Sequence, residues 1–222
     1  MKFAQLHPWD LSAKEAIALQ RVLAQRVDRT NSLGDIEYVA GVDVGFDGEI
    51  ARASVAVLKY PALELCEYRT ASLPASFPYI SGLLSFREIP ILLAALEKLE
   101  TRPNVILCDG QGIAHPRRFG IACHLGLITD IPTIGVGKTR LTGTHLEPGD
   151  EKGSWSPLVD KGEVLGAVLR TRTHVKPVYV SIGHKVDLDA SIRCVLACTT
   201  KYRLPETTRW AHRLASLQNA SA

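Results

Sequence analysis

The 222-residue sequence predicts an α/β fold, a mixed sheet flanked by helices. Three observations carry that reading. The first half holds three consecutive strand-like stretches, 36–46, 50–60 and 63–73, and the short Lys59-Tyr60-Pro61 joint makes the second and third antiparallel neighbours. The second half alternates short apolar runs, Val105-Ile106-Leu107-Cys108 and Ile131 to Val136, with helical segments. No repeat, low-complexity tract or long linker interrupts a sequence that is 46% hydrophobic and 22% charged, so residues 1–222 read as one domain.

Ser12-Ala13-Lys14-Glu15 fits a capping box, and Ile17, Val22, Leu23 and Val27 recur at helical spacing. A helix over 11–27 follows, packing on the domain and carrying no chemistry. In the first strand, Tyr38, Ala40, Val42 and Val44 share one face, and Val39, Gly41, Asp43 and Gly45 the other. Asp43 is thus a carboxylate in an apolar strand. Burying it without a partner is costly, so it must meet a cation, a donor or a metal; a salt bridge would suffice. Pro74 to Gly82 is a Pro-rich loop in which Phe77 is expected to pack down and Tyr79 to stand out. Ser85-Phe86-Arg87-Glu88 opens a helix continued by Ile91, Leu92, Ala95, Leu96 and Leu99. Glu88 fits the third position of a capping box, and a first helical turn facing a sheet can also aim a carboxylate at a strand end.

The stretch from Asn104 to Leu125 organises the chain. A buried strand ends on Asp109; Gly110 and Gly112, the basic His115-Pro116-Arg117-Arg118 and a helix from about Phe119 follow. In an α/β sheet, that order puts an acid where strands end and ligands bind, although an isolated Asp-Gly reads simply as a turn. Gly137-Lys138-Thr139 resembles the end of a phosphate-binding P-loop, but Pro132 occupies the place of the required glycine and 142–153 reads as a loop, so a nucleotide triphosphatase is excluded. Lys138 at a strand end remains a phosphate or leaving-group contact. Glu163–Arg172 and Lys176–Ile182 read as a hairpin pair closed by Gly183-His184-Lys185, with no role assigned to His184. Helices over 188–200 and 205–217 complete the chain; His212 lies on the last, where a lone His is ordinarily a surface residue.

The net charge of +3 is mild. Arg117-Arg118, Lys138 with Arg140, and Arg170 with Arg172 and Lys176 allow a phosphate-binding face. Five cysteines without a CxxC pair indicate neither a zinc ribbon nor a disulfide framework. The N-terminus lacks a signal-peptide core and no apolar run is long enough to span a bilayer, which implies a reducing, cytoplasmic compartment and no membrane partner.

Asp43, Glu88 and Asp109 form an oxygen-only set, which selects Mg²⁺ or Mn²⁺ over zinc. Such ions clamp the attacking and leaving oxygens of a phosphodiester, and Lys138, Arg117 and Arg118 would face the anionic backbone.

The words GVDVGF (41–46), PYISGLLSFRE (78–88), CDGQGIAHPRRFGIACHLGL (108–127), PTIGVGKTRL (132–141) and RLPETTRWAH (203–212) resemble endonuclease V, the deoxyinosine-specific nuclease family of ribonuclease H-like fold. The resemblance implies a Mg²⁺-dependent DNA-repair enzyme that cuts on the 3′ side, one nucleotide beyond the lesion, leaving the base in place. It implies that Asp43, Glu88 and Asp109 bind the metal, and that Tyr79 and Ile80 belong to a wedge filling the space of the displaced base. The family commonly has Pro after that Tyr-Ile; here it is Ser81. It places His115, Lys138 and His212 around the scissile phosphate, His212 positioning a water or a second metal. The base would sit near Gly82, Leu84, Gly110, Gly112, Ile121 and Leu141, where a backbone N–H can donate to the hypoxanthine carbonyl and reject adenine's amino group. The implied partner is DNA with deaminated bases, bound by a monomer. An inosine-specific ribonuclease and a non-catalytic inosine-binding protein are the alternatives.

Overall fold

The computed structural model describes residues 1–217. The elements run α1 (Ala13–Ala24), β1 (Tyr38–Asp47), β2 (Ile50–Lys59), β3 (Glu64–Pro74), α2 (Leu84–Leu96), β4 (Val105–Cys108), α3 (Ile121–Thr129), β5 (Thr133–Gly137), β6 (Trp155–Asp160), β7 (Glu163–Leu169), β8 (Val178–His184), α4 (Leu188–Ala197) and α5 (Glu206–Leu217). The strands form one sheet in the order β3-β2-β1-β4-β5-β8-β7-β6. β1, β2 and β3 make an antiparallel meander, β4 and β5 lie parallel to β1, and the remaining pairs are antiparallel. The expected mixed sheet is present, with one strand more than the sequence suggested. Trp155–Asp160 carries Pro157, a residue that argues against a central strand but is tolerated at a sheet edge, which is where β6 lies.

The face alternation expected for β1 holds. Ala40 and Val42 pack with Ile106, Cys108 and the apolar stripes of α2 and α3. Gly41, paired with Ala56, lies on the other face, where α5 packs through Ala211 and Leu214. The approach is close: a Cβ on Gly41 would stand 2.1 Å from the Thr207 carbonyl oxygen. The Ser54 hydroxyl donates to the Ala211 carbonyl and fixes the helix along its length.

In α1 the capping box forms as expected. Its buried positions are Ala16, Gln20 and Leu23, whereas Val22 is 63% exposed, because the stripe runs through 16, 20 and 23. Arg170 offers no phosphate-binding charge. It is buried, and its guanidinium donates to the Gly149, Val175 and Pro148 carbonyls and to Glu147, stapling the 142–153 loop to the end of β7. His184 is likewise structural, accepting the Asp28 backbone N–H at Nδ1. Cys108, Cys123, Cys194 and Cys198 are buried as thiols and Cys66 is exposed. Among the described residues, no helix is long and apolar enough to cross a membrane.

The contact at Gly41 yields a direct test. Gly41→Ala drives a methyl group into backbone that cannot yield without shifting α5, so urea unfolding should show a loss of about 1–3 kcal/mol. An unchanged midpoint would mean that α5 is not seated by this contact.

Candidate active site

The parallel register of β1 and β4 builds the centre of the site. Val42 pairs with Cys108, so Asp43 and Asp109 are the next residues of adjacent strands and share a face. Glu88 reaches the same two acids from α2. A cavity of about 190 Å³ is bounded by all three carboxylates together with Val42, Val44, Leu92 and Ile121. Burial, then the charges of Asp43 and Asp109, push the Glu88 carboxyl up to about 8. Burial also raises Asp109, against the opposing pull of Lys138.

Two side chains partner these acids. Lys138, one residue past β5, forms an ion pair with Asp109. His212 Nδ1, on α5, lies 2.9 Å from Asp43 Oδ2. His212 is therefore no idle surface residue: α5, seated by Gly41 and Ser54, carries it to the strand end. Glu88 is the fifth residue of α2, and the helix begins at Leu84 with no side-chain cap, so the capping-box reading of Glu88 does not hold. Among the described residues, no three His, Cys, Asp or Glu side chains stand ready at metal-coordinating geometry. Lys138 and His212 each engage a carboxylate oxygen of the set. Three mutually repelling oxygen donors around one cavity nonetheless match the chemistry of a hard divalent cation.

A second cavity, of about 320 Å³, adjoins the first and shares Asp109 and Ile121 with it. Tyr79, Ile80, Gly82, Leu84, Gly110, His115, Lys138 and Leu141 line it, as do Gln20, Ser85 and Gln111. α2 and α3 both start at its wall without side-chain caps, through Leu84 and Ile121; the Phe86 and Ala122 N–H groups are taken by the Leu83 and Gln111 carbonyls, which leaves those of Leu84, Ser85 and Ile121 as the donors at the two helix starts. The loop over it is anchored at both ends. Phe77 is buried and its carbonyl accepts from Arg87 Nη1 at 2.7 Å. The Gly82 carbonyl accepts from Gln20 Nε2, Arg117 Nη2 and His115 Nε2 at 2.8–3.0 Å. Gly82 has φ +78°, a conformation that favours glycine. Between these anchors Tyr79 is 76% exposed.

Several expectations need correction. Gly112 does not line the cavity. Its N–H donates to Ser181 Oγ at 2.8 Å and its α-carbon faces the Ile182 carbonyl, so it serves packing against β8. His115 supports the loop instead of facing a phosphate. Its Nδ1 accepts the Arg117 N–H while Nε2 donates to Gly82, and burial, then Arg117, push it down to about 4, leaving a neutral ring. Arg118 is paired with Asp160 and Glu163, and Arg117 is committed to Gln20 and Gly82, so neither is poised for a nucleic-acid backbone. Sequence reading missed Gln20. Its signal was a polar residue on a buried helical stripe, and it is fully buried.

A ribonuclease H-like sheet with acids on its adjacent central strands defines a class of nuclease. Within that class the chain belongs to the endonuclease V family: the Endonuclease V family model matches residues 21–213. Endonuclease V of Trichormus variabilis is 59% identical over 97% of this chain and 99% of its own. The crystal structure of endonuclease V from Streptomyces avermitilis superposes with a TM-score of 0.90 at 46% identity, covering 96% of each chain. Endonuclease V from Ciona intestinalis, solved in complex with a 24-mer DNA containing an inosine followed by a ribo-adenosine, gives 0.83 at 31% identity over 93% of this chain and 97% of that one.

The crowding of the acids predicts a pH signature in metal-free protein. Glu88 is neutral in the fold up to about pH 8 but ionises near 4.5 when unfolded. Stability is therefore lost as pH rises across that window. Glu88→Gln lacks this slope, so its advantage over wild type in chelator should grow from about pH 4.5 to 8 and then level off. Parallel stability profiles would contradict the placement of Glu88 among the acids.

Proposed function

We propose that this chain is a divalent-cation-dependent endonuclease that recognises deaminated bases in DNA, deoxyinosine above all, and hydrolyses the phosphodiester on the 3′ side, one nucleotide beyond the lesion. One observation carries the reading: the cavity of the three acids and the larger cavity share the walls Asp109 and Ile121, so a base in one lies beside a phosphate at the other. The inosine-containing DNA bound by the Ciona intestinalis relative supports it. The chain acts as one domain and a monomer, and its unpaired cysteines suit the cytoplasm.

Asp43, Glu88 and Asp109 would hold Mg²⁺, with Mn²⁺ a competent substitute. When bound, the cation supplies charge neutralisation to the attacking and leaving oxygens. Lys138, beside Asp109, places an ammonium where the phosphate's negative charge must be met. His212, with Nδ1 turned to Asp43, directs its other ring nitrogen outward, where it can orient a water and exchange its proton. Water adds to phosphorus and the O3′ leaves as a hydroxyl, so the products carry a 3′-hydroxyl and a 5′-phosphate.

The acids give no selectivity, because any phosphodiester satisfies them. Selection falls to the larger cavity, where the N–H groups of Leu84 and Ser85 at the start of α2 and of Ile121 at the start of α3 match the carbonyl of hypoxanthine and oppose adenine's amino group. Each mismatch of that kind costs about 1–3 kcal/mol. Tyr79 fills the stack left by the displaced base, held out by a loop pinned at Phe77 and Gly82.

A labelled duplex with a single deoxyinosine should be nicked 3′ to the lesion in Mg²⁺, with inosine retained and the adenine duplex nearly inert. Asp43→Asn and Asp109→Asn should abolish nicking while binding survives in Ca²⁺; binding without any metal-dependent nicking by wild type would mark a non-catalytic binder. Matched inosine RNA separates the ribonuclease alternative. Release of free hypoxanthine, or near wild-type nicking by either variant, would overturn the reading.

Tyr79→Ala should lose more activity on duplex than on single-stranded inosine DNA, because only the duplex requires a base to be unstacked. Equal losses in rate assays on the two substrates would contradict the wedge.

A further inference from the structure

Behind the base cavity runs a buried hydrogen-bond chain that the reaction described above does not use. Ser85, which lines the cavity, has its Oγ 3.0 Å from His124 Nδ1. His124 Nε2 lies 2.7 Å from His7 Nε2, and His7 Nδ1 lies 2.7 Å from the Pro8 carbonyl. Ser85, His124 and His7 are 2%, 0% and 8% exposed. Trp9 stacks on His124, and Phe86 and Phe119 close around it. His7 lies outside the residues matched by the family model.

The direction of this chain follows from its far end. The Pro8 carbonyl can only accept, so His7 Nδ1 carries a hydrogen. When each ring carries a single proton, His7 Nε2 must then accept from His124 Nε2–H, which leaves His124 Nδ1 to accept from the Ser85 hydroxyl. The one hydrogen of Ser85 is thereby committed inward, so all its oxygen can offer a base in the cavity is lone pairs. Beside it stand the backbone N–H groups of Leu84 and Ser85 at the start of α2, whereas that of Phe86 is bonded to the Leu83 carbonyl. A donor next to an acceptor matches the adjacent carbonyl and N1–H of hypoxanthine; adenine presents the reverse pair, an amino donor and a bare N1.

We propose that Ser85 is a specificity-determining residue of the base cavity, accepting the N1–H of hypoxanthine, and that His124 and His7 are positioning residues that fix its hydroxyl as an acceptor. The inference rests on the reading that the larger cavity takes the base.

Nitrogen-15 NMR of histidine-labelled wild-type protein tests the polarity directly: His124 should be the neutral Nε2–H tautomer. A hydrogen on His124 Nδ1 would reverse the chain and overturn the proposal. Ser85→Ala should lower the ratio of kcat/KM for inosine over adenine duplexes by roughly tenfold or more, the size of one lost buried hydrogen bond. His7→Phe, which keeps the ring cluster filled, should lower the same ratio less and shift the His124 nitrogen resonances. Should Ser85→Ala fail to fold, the wild-type tautomer and His7→Phe decide. An equal change on both substrates in the folded variants would also overturn it. A wild-type protein indifferent to inosine would instead bring down the base-cavity reading, and this inference with it.

Discussion

Mutual repulsion among three carboxylates is the constraint on which the structure turns. Asp43 lies within β1 and Asp109 just past the end of the parallel neighbour β4, and Glu88 comes at them from a helix on the opposite face. Left alone, such a cluster would disperse into solvent. The core holds it. The register of β1 against β4 is set by fully buried Val39, Ala40, Val105 and Ile106, so the acids can separate only if the sheet slips. The first cationic brace, Lys138, comes from the strand beyond β4; the second partner, His212, arrives on a helix whose seat depends on the missing Cβ of Gly41. Stability is given up locally at the acids and recovered in the apolar layers beneath them.

On the proposed reading, chemistry and selectivity occupy neighbouring cavities with different physics. The acid cavity is charged and indifferent to the base. The larger one adds helix starts, glycines and the polar Gln20, Ser85 and Gln111 to the Asp109 and Lys138 it shares with the catalytic edge, and there a wrong hydrogen-bond pattern is costly. Asp109 and Ile121 belong to both, so a base misplaced in the first displaces the phosphate at the second. The loop bearing Tyr79 needs no proline at Ser81 to be held, since three donors converge on the Gly82 carbonyl.

The legible parts of the sequence were those governed by local periodicity and by chemistry within one segment. The alternation in β1 placed Asp43 on its face, and the capping box at Ser12 and the buried Phe77 beside exposed Tyr79 followed from short-range pattern. What failed depended on partners distant in sequence. Arg118 and Lys138 look alike in a string of letters, yet one is neutralised by Asp160 and Glu163 and the other stands at the acids. Gly110 and Gly112 are two residues apart, but the N–H of the second is spent on Ser181, 69 residues away. β6 was hidden by Pro157, whose tolerance depends on an edge position that only the assembled sheet defines. The His7–His124 pair spans 117 residues and left no pattern at all.

The central claim is that the three acids exist to share a cation. Crystals of the chain with an inosine-containing duplex and Mn²⁺ test it most directly, through anomalous scattering collected at the manganese edge. The account predicts a peak bounded by Asp43, Glu88 and Asp109 and touching the phosphate 3′ to the inosine. A peak elsewhere with Asp109 and Asp43 still paired to Lys138 and His212, or none beside an ordered duplex, would contradict it.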